Sequence, residues 1–265
     1  MDVFKITSPT GKKIPFILSI PHSGTFIPNK LLEKFNNEQL NILDDTDWFL
    51  DQLYDFAPKL GVTTIKANLS RWVVDLNRNP KNQPLYNDGR IITAICPETN
   101  FNGKPIYKKN YKLNHSEISA RVDNYFLPYH QKLKQLINYF KNKYGRVVIW
   151  DAHSIKRFVS SIHKNPFPDL IIGNNDGKSC DKQIAELVIN QLNQSNFDLK
   201  INTPFKGGYI TRSIGQPEQN INAIQLEMSK DLYMKKNESA YDFEKAKTVK
   251  KLLEQTFSKI IEKLK

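Results

Sequence analysis

Along the chain, short and wholly apolar runs alternate with longer stretches in which apolar residues recur every three or four positions. Pro15-Phe16-Ile17-Leu18-Ser19-Ile20 reads as a buried strand that empties into Pro21-His22-Ser23-Gly24. Phe49, Leu50, Leu53, Tyr54 and Ala57 carry helical spacing across 47–60. Residues 62–66 and 72–76 predict two further strands, and the Asn-, Pro- and Gly-rich stretch from 77 to about 109 predicts a long loop. A strong helical pattern covers 115–144, with Ser116 as its N-cap and an interruption at Pro128, because proline inside a helix removes a hydrogen bond and clashes with the preceding turn. Val147-Val148-Ile149-Trp150 is a fully apolar strand with Asp151-Ala152-His153-Ser154 at its exit. Residues 170–173 repeat that character, and Ile184, Ala185, Val188, Ile189 and Leu192 mark an amphipathic helix. Residues 222–228 read as a late strand, and Val249, Leu252, Leu253, Phe257, Ile260 and Leu264 give a terminal helix one packed face.

Strands without strict polar alternation, separated by helices, predict an α/β fold. The expectation is a single domain, 1–265, whose mainly parallel or mixed central sheet is flanked by helices. In such sheets sites form beyond the carboxyl ends of strands. His22 and His153 both sit at such ends.

Composition narrows the class. Apolar residues make up 39% of the chain and aromatics 11%, enough for a substantial core and against intrinsic disorder. No run approaches the length that a membrane span needs. The charge of +12 comes from 39 basic against 27 acidic residues, but only 7 of the basic residues are arginine. The lysines are dispersed among asparagines, with no basic arm and no aromatic–basic module. They predict a solvated surface that draws in small anions, and no nucleic-acid partner. Cys96 and Cys180 are far apart and outside any paired motif, which excludes a disulfide framework and a cysteine zinc site. The first residues lack the pattern of a secretory signal, so a reducing cytoplasm is the expected setting.

Histidine is scarce: His22, His115, His130, His153 and His163. A histidine at one strand exit is as readily a packed or capping residue as a ligand. Two at equivalent exits, each followed by serine, favour a metal. A catalytic zinc takes three protein ligands and keeps one position open. With no thiol near, the third ligand is a carboxylate from Asp44-Asp45-Thr46-Asp47. Helix capping explains at least one of these; Asp47 is the preferred ligand and Asp45 the fallback. Asp151, two residues before His153, projects to the same side of an extended chain and can hold that imidazole's tautomer. Arg71 and Arg78 flank an apolar run, and a guanidinium binds carboxylate through two parallel bonds; a structural ion pair is the plainer role for either. Arg78, beside Asn77, has the better claim to a substrate. Glu227 interrupts an apolar strand, where an unpaired carboxylate is costly, so it has either a salt-bridge partner or a task as general base.

Taken in order, Ser19-Ile20-Pro21-His22-Ser23-Gly24, Asp45-Thr46-Asp47-Trp48, Val74-Asp75-Leu76-Asn77-Arg78, Asp151-Ala152-His153-Ser154, Gly207-Gly208-Tyr209 and Gln225-Leu226-Glu227 resemble the N-formylglutamate amidohydrolases. That family in turn resembles the zinc carboxypeptidases. The resemblance implies a phosphorylase/hydrolase-like α/β fold, one Zn²⁺ on His22, Asp47 and His153, and Glu227 as general base. It implies Arg71 at the scissile carbonyl, Asn77 and Arg78 on a substrate carboxylate, and Tyr209 and Arg212 lining the pocket. The implied activity is hydrolysis of a small anionic N-acyl amino acid such as N-formylglutamate, in histidine breakdown. Other N-acyl amino acid amidohydrolases, a carboxypeptidase-like activity and a basic nucleic-acid-binding α/β protein are the alternatives. Two departures stand out: the carboxypeptidase H-x-x-E motif is missing, since Ser23, Gly24 and Thr25 follow His22, and Asn222 stands where many members carry histidine.

Overall fold

The computed structural model describes residues 2–83, 94–236, 238 and 240–265. Its strands are β1 (Phe4–Thr7), β2 (Phe16–Ile20), β3 (Thr63–Ala67), β4 (Val147–Ile155), β5 (Leu170–Gly173), β6 (Leu199–Ile201) and β7 (Ile221–Ser229). Its helices are α1 (Asn29–Leu32), α2 (Asn37–Leu40), α3 (Leu50–Leu53), α4 (His115–Arg121), α5 (Leu127–Tyr144), α6 (Lys182–Leu192), α7 (Tyr209–Ile214) and α8 (Phe243–Leu264). The strands form one mixed sheet in the order β1-β3-β2-β4-β7-β5-β6. Its centre, β3-β2-β4-β7, is parallel; β1 runs antiparallel on one side, and β5, itself parallel to β6, runs antiparallel to β7 on the other. This is the α/β architecture that the run pattern predicts.

Alternation along β2, β4 and β7 explains both the core and the site. Phe16, Leu18 and Ile20, with Val148, Trp150 and Ala152 and with Ile224, Leu226 and Met228, face the layer that holds α3, α6 and α8. On the other face Ile17, Ile149 and Ala223 pack beneath Phe126 and the α5 residues Tyr129 and Leu133. Continuing towards the carboxyl ends, that second face turns polar: Ser19 lies beside Asp151, Asp151 beside Gln225, and His153 beside Glu227. Paired residues of neighbouring strands share a face, so the strands themselves bring these groups together.

The sequence pattern and the structure differ in places. Asp151, Ala152, His153 and Ser154 extend β4 by a full turn of pleat instead of following it. The apolar run 72–76 is buried but forms no strand; side chains help to hold the turns there, with the Trp72 N–H on Ser70 Oγ at 3.2 Å and Trp72 Nε1 on Asp45 at 2.9 Å. A short apolar run signals burial, and burial here is irregular. The helix expected over 47–60 is confined to α3 and a 3-10 turn at Ala57–Leu60, because Phe49 takes a left-handed φ of 60° and Pro58 shapes the second turn. Over 115–144 the cap is Asn114, whose Oδ1 accepts the Glu117 N–H at 2.9 Å, and the interruption is a π-helical turn, Val122–Phe126, just before Pro128. The expected loop from 77 to about 109 contains no helix or named strand among its described residues; 84–93 lie outside them. No helix among the described residues is long and apolar enough to cross a membrane.

Candidate metal centre

His22 leaves the end of β2, Asp47 stands just before α3, and His153 sits near the end of β4. All three are 2–3% exposed, and their ligand atoms lie within 4.8 Å of one another. Asp47 Oδ2 is 3.2 Å from His153 Nδ1 and 3.8 Å from His22 Nδ1. The Asp47 N–H donates to the His22 carbonyl at 3.0 Å, and the Ser154 N–H donates to Asp47 Oδ2 at 3.2 Å, so backbone fixes the acid between the two rings. Asp45, the alternative acid, is spent elsewhere: it accepts from Trp72 Nε1 and from the Phe101 N–H at 3.0 Å.

The far nitrogen of each ring is also committed. His22 Nε2 is 2.8 Å from Asp75 Oδ1, and His153 Nε2 is 3.1 Å from Asp151 Oδ2. Such carboxylate–histidine pairs hold the tautomer that frees the other nitrogen for a metal. His22 Nδ1 is buried and has no hydrogen-bond partner. A buried imidazole nitrogen left so is costly, unless a cation completes it. Two Nδ1 atoms and one carboxylate oxygen are also the donor types zinc takes in a three-ligand catalytic site. The residues fit the ion.

Burial, with help from the Arg71 guanidinium, lowers His22 to about 4, so its ring is neutral near pH 7. Burial also opposes charge on His153, but the Asp151 and Asp47 carboxylates outweigh it and raise that ring well above 6.5. Burial disfavours ionised Asp75 too, yet Arg71, Arg78 and His22 hold it well below the usual carboxylate range. Glu227, partly buried and beside His153 in the sheet, is pushed up to about 8 by desolvation, with Asp47 adding repulsion against the pull of His153.

Of the other residues singled out in the sequence, Arg71 and Arg78 reach Asp75, Asn77 reaches His153, and Tyr209 and Arg212 lie on α7, whose first N–H donates to the Asn77 carbonyl at 3.3 Å. Arg71 Nη2 donates to Asp75 Oδ2 at 2.5 Å, and its guanidinium lies 4.7 Å from the centre of the Phe101 ring. Asn77 is buried: its Nδ2 is 3.0 Å from His153 Nε2 and 3.5 Å from Asp151 Oδ2, while its Oδ1 accepts the Ile210 N–H at 2.7 Å. Arg78 Nε is 3.8 Å from Asp75 Oδ2, and its side chain is 20% exposed. Tyr209 opens α7 with its ring edge-on to His130, and Arg212 Nε donates to the Gly207 carbonyl at 2.7 Å. Gly208 is glycine for a steric reason, since a Cβ there would lie 2.1 Å from Asn77 Nδ2.

Sequence reasoning gave Asp75 no role. Its signal was a carboxylate inside the apolar run Val73-Val74-Asp75-Leu76, the same signal that singled out Glu227. Asn222 lies five residues before Glu227 on the opposite face, where its Oδ1 accepts the Asp181 N–H at 2.6 Å. Its side chain therefore serves the start of α6 and not the site.

A sequence model described as N-formylglutamate amidohydrolase matches residues 14–234. The chain belongs to the N-formylglutamate amidohydrolase family. It is 36% identical over 223 residues to an N-formylglutamate deformylase of Pseudomonas aeruginosa, covering 84% of this chain and 83% of that one. It is 33% identical over 235 residues to an N-formylglutamate deformylase of Pseudomonas putida, covering 88% and 87%. A crystal structure of N-formylglutamate amidohydrolase from Ralstonia eutropha superposes with a TM-score of 0.84 at 25% identity, over 100% of this chain and 98% of that one. An Agrobacterium tumefaciens gene product shares the fold, with a TM-score of 0.74 at 19% identity over 98% and 96%. The region matched to the family, 14–234, takes in every residue of the His22–Asp47–His153 centre together with Glu227.

Proposed function

We propose that the chain is a zinc-dependent amide hydrolase that converts an N-formyl or small N-acyl acidic amino acid, most simply N-formylglutamate, with water to formate and glutamate. One observation carries this reading: a buried His-Asp-His cluster with a vacant imidazole nitrogen stands beside a partly buried glutamate, in a chain whose relatives are N-formylglutamate deformylases. Bound by His22, Asp47 and His153, zinc would polarise the scissile carbonyl and make water more acidic. Glu227, facing the same side as His153, takes a proton from the attacking water and passes it to the leaving amine. Arg71 supplies fixed positive charge for the oxyanion, held in place by Asp75. Arg78 pairs with the substrate carboxylate, Asn77 orders that side of the pocket, and Tyr209 and Arg212 line it. Buried free thiols at Cys96 and Cys180 are compatible with a reducing cytoplasm.

The test is formate release from N-formylglutamate, with N-acetylglutamate and a dipeptide as competitors, on protein loaded with zinc. Formate should appear with the wild type. Glu227→Gln should lose about 10²- to 10⁴-fold in kcat and keep its zinc. Full turnover by Glu227→Gln, or preference for the dipeptide, defeats the reading.

A further inference from the structure

Arg121 lies on α4, outside the candidate metal centre, yet its guanidinium reaches the turn that carries Arg71 and Asp75. The side chain is 2% exposed. Nη1 donates to the Val73 carbonyl at 3.1 Å, lies 3.5 Å from the Trp72 carbonyl, and donates to the Tyr107 hydroxyl at 2.7 Å. Nε and Nη2 both donate to Glu117 Oε1, at 3.1 and 2.5 Å. Glu117 is itself braced by Lys34 Nζ at 2.8 Å and by the Tyr111 hydroxyl. The guanidinium thus has its orientation set from α4 before it meets the two carbonyls.

Residues 71–76 are in neither sheet nor helix, so no ladder of backbone bonds dictates their path. Isolated bonds do instead: the Val73 N–H on the Ser70 carbonyl at 2.9 Å, the Asp75 N–H on the Ile95 carbonyl at 2.7 Å, Ser70 Oγ on the Trp72 N–H at 3.2 Å, Asp45 on Trp72 Nε1, and Arg121 on the carbonyls between. Val73 is two residues from Arg71 and two from Asp75. Those two form the 2.5 Å pair that presents Asp75 Oδ1 to His22 Nε2 at 2.8 Å. Ligand geometry must hold to about 0.5 Å, and this turn is where it can be lost.

We propose that Arg121 is a positioning residue for the metal centre. It fixes the turn at 72–73 and, through the Arg71–Asp75 pair, the orientation of His22. The inference rests on the metal reading above and adds to it a residue on a different element. A guanidinium suits the task because its planar fork engages the Glu117 carboxylate on one edge and carbonyls on another, which an ammonium cannot reproduce.

The experiment measures the zinc dissociation constant by chelator competition, with the thermal midpoint of the metal-free protein alongside. It uses the wild type, Arg121→Gln, Glu117→Gln, Asp75→Asn and the double variant Arg121→Gln/Asp75→Asn. Loss of a group that orients a ligand weakens metal affinity about 10- to 100-fold; Arg121→Gln should fall at the lower end, about tenfold. The double variant should bind zinc no more weakly than Asp75→Asn alone, because Arg121 acts through Asp75. Unchanged zinc affinity in Arg121→Gln with only a lower thermal midpoint overturns the proposal, as do losses that multiply in the double variant. If Arg121→Gln does not fold, Glu117→Gln decides: a weaker zinc site supports the proposal and an unchanged one overturns it. A wild type that binds no zinc removes the metal reading and this inference together.

Discussion

Loading the protein with zinc should release about two protons at pH 7, one from each of two identifiable groups. His153 sits between Asp151 at 3.1 Å and Asp47 at 3.2 Å, and these carboxylates keep the metal-free ring protonated well above 6.5. A ligand imidazole must be neutral, so binding expels that proton. His22, lowered to about 4, is already neutral and contributes none. Asp47 is held ionised by His153 and His22 despite its burial, and contributes none either. Glu227, at about 8 in the metal-free protein, is protonated in roughly nine molecules of ten at pH 7. A dication beside it reverses that balance and drives off the second proton. Zinc affinity should therefore weaken about a hundredfold for each pH unit below 7, and about tenfold in Glu227→Gln, since each proton is worth about 1.4 kcal/mol per pH unit. Isothermal titration calorimetry in buffers of different ionisation enthalpy counts the protons directly. Close to two for the wild type and close to one for Glu227→Gln is the expected pair. Fewer than about half a proton from Glu227→Gln would refute the assignment of His153 as a protonated ring that becomes a ligand.

Three further outcomes follow from other contacts. Gly208→Ala places a methyl 2.1 Å from Asn77 Nδ2, which must swing away from His153 and Asp151; steady-state kinetics should show a fall in kcat/KM of about 10²-fold, of the order a displaced active-site group costs, while an unaffected enzyme would mean that Asn77 is not needed there. Arg78→Ala should raise KM for acidic N-formyl amino acids about 10- to 100-fold, the range expected from a charge-assisted bond, with little change in kcat. His130, partly buried with its Nε2 on the Leu76 carbonyl at 2.8 Å, is lowered by desolvation from 6.5 to about 4, so it folds neutral. The unfolded chain then binds a proton that the folded chain refuses, and stability falls as pH drops from 6.5 towards 4, by about 3 kcal/mol from this group; urea unfolding of metal-free His130→Gln should show a correspondingly shallower decline.

Much of the fold was legible because a sheet covered on both faces demands long apolar strands, and β2, β4, β5 and β7 each announce themselves as such runs. β1 and β6 were not legible: they are short edge strands of four and three residues with no apolar run of their own. His22 and His153 stood out because each breaks or ends a strand that is otherwise apolar, and Glu227 stood out for the same reason. Local sequence could not separate Asp47 from Asp45, which share one short acidic cluster; the fold does so by turning Asp45 towards Trp72 and Phe101 and Asp47 towards the rings. The run 72–76 misled because burial without a ladder looks, in sequence, like a strand. What hides it is long-range: Arg121, Asp45 and Ile95 supply the hydrogen bonds that a sheet would otherwise provide.

Zinc stoichiometry, measured by elemental analysis after dialysis of the wild type and of Asp47→Ala against zinc and then against metal-free buffer, bears most directly on the convergence of His22, Asp47 and His153. The wild type should retain about one zinc per chain and the variant almost none, as expected when one of three protein ligands is removed. Equal zinc in both, or none in the wild type, would contradict it.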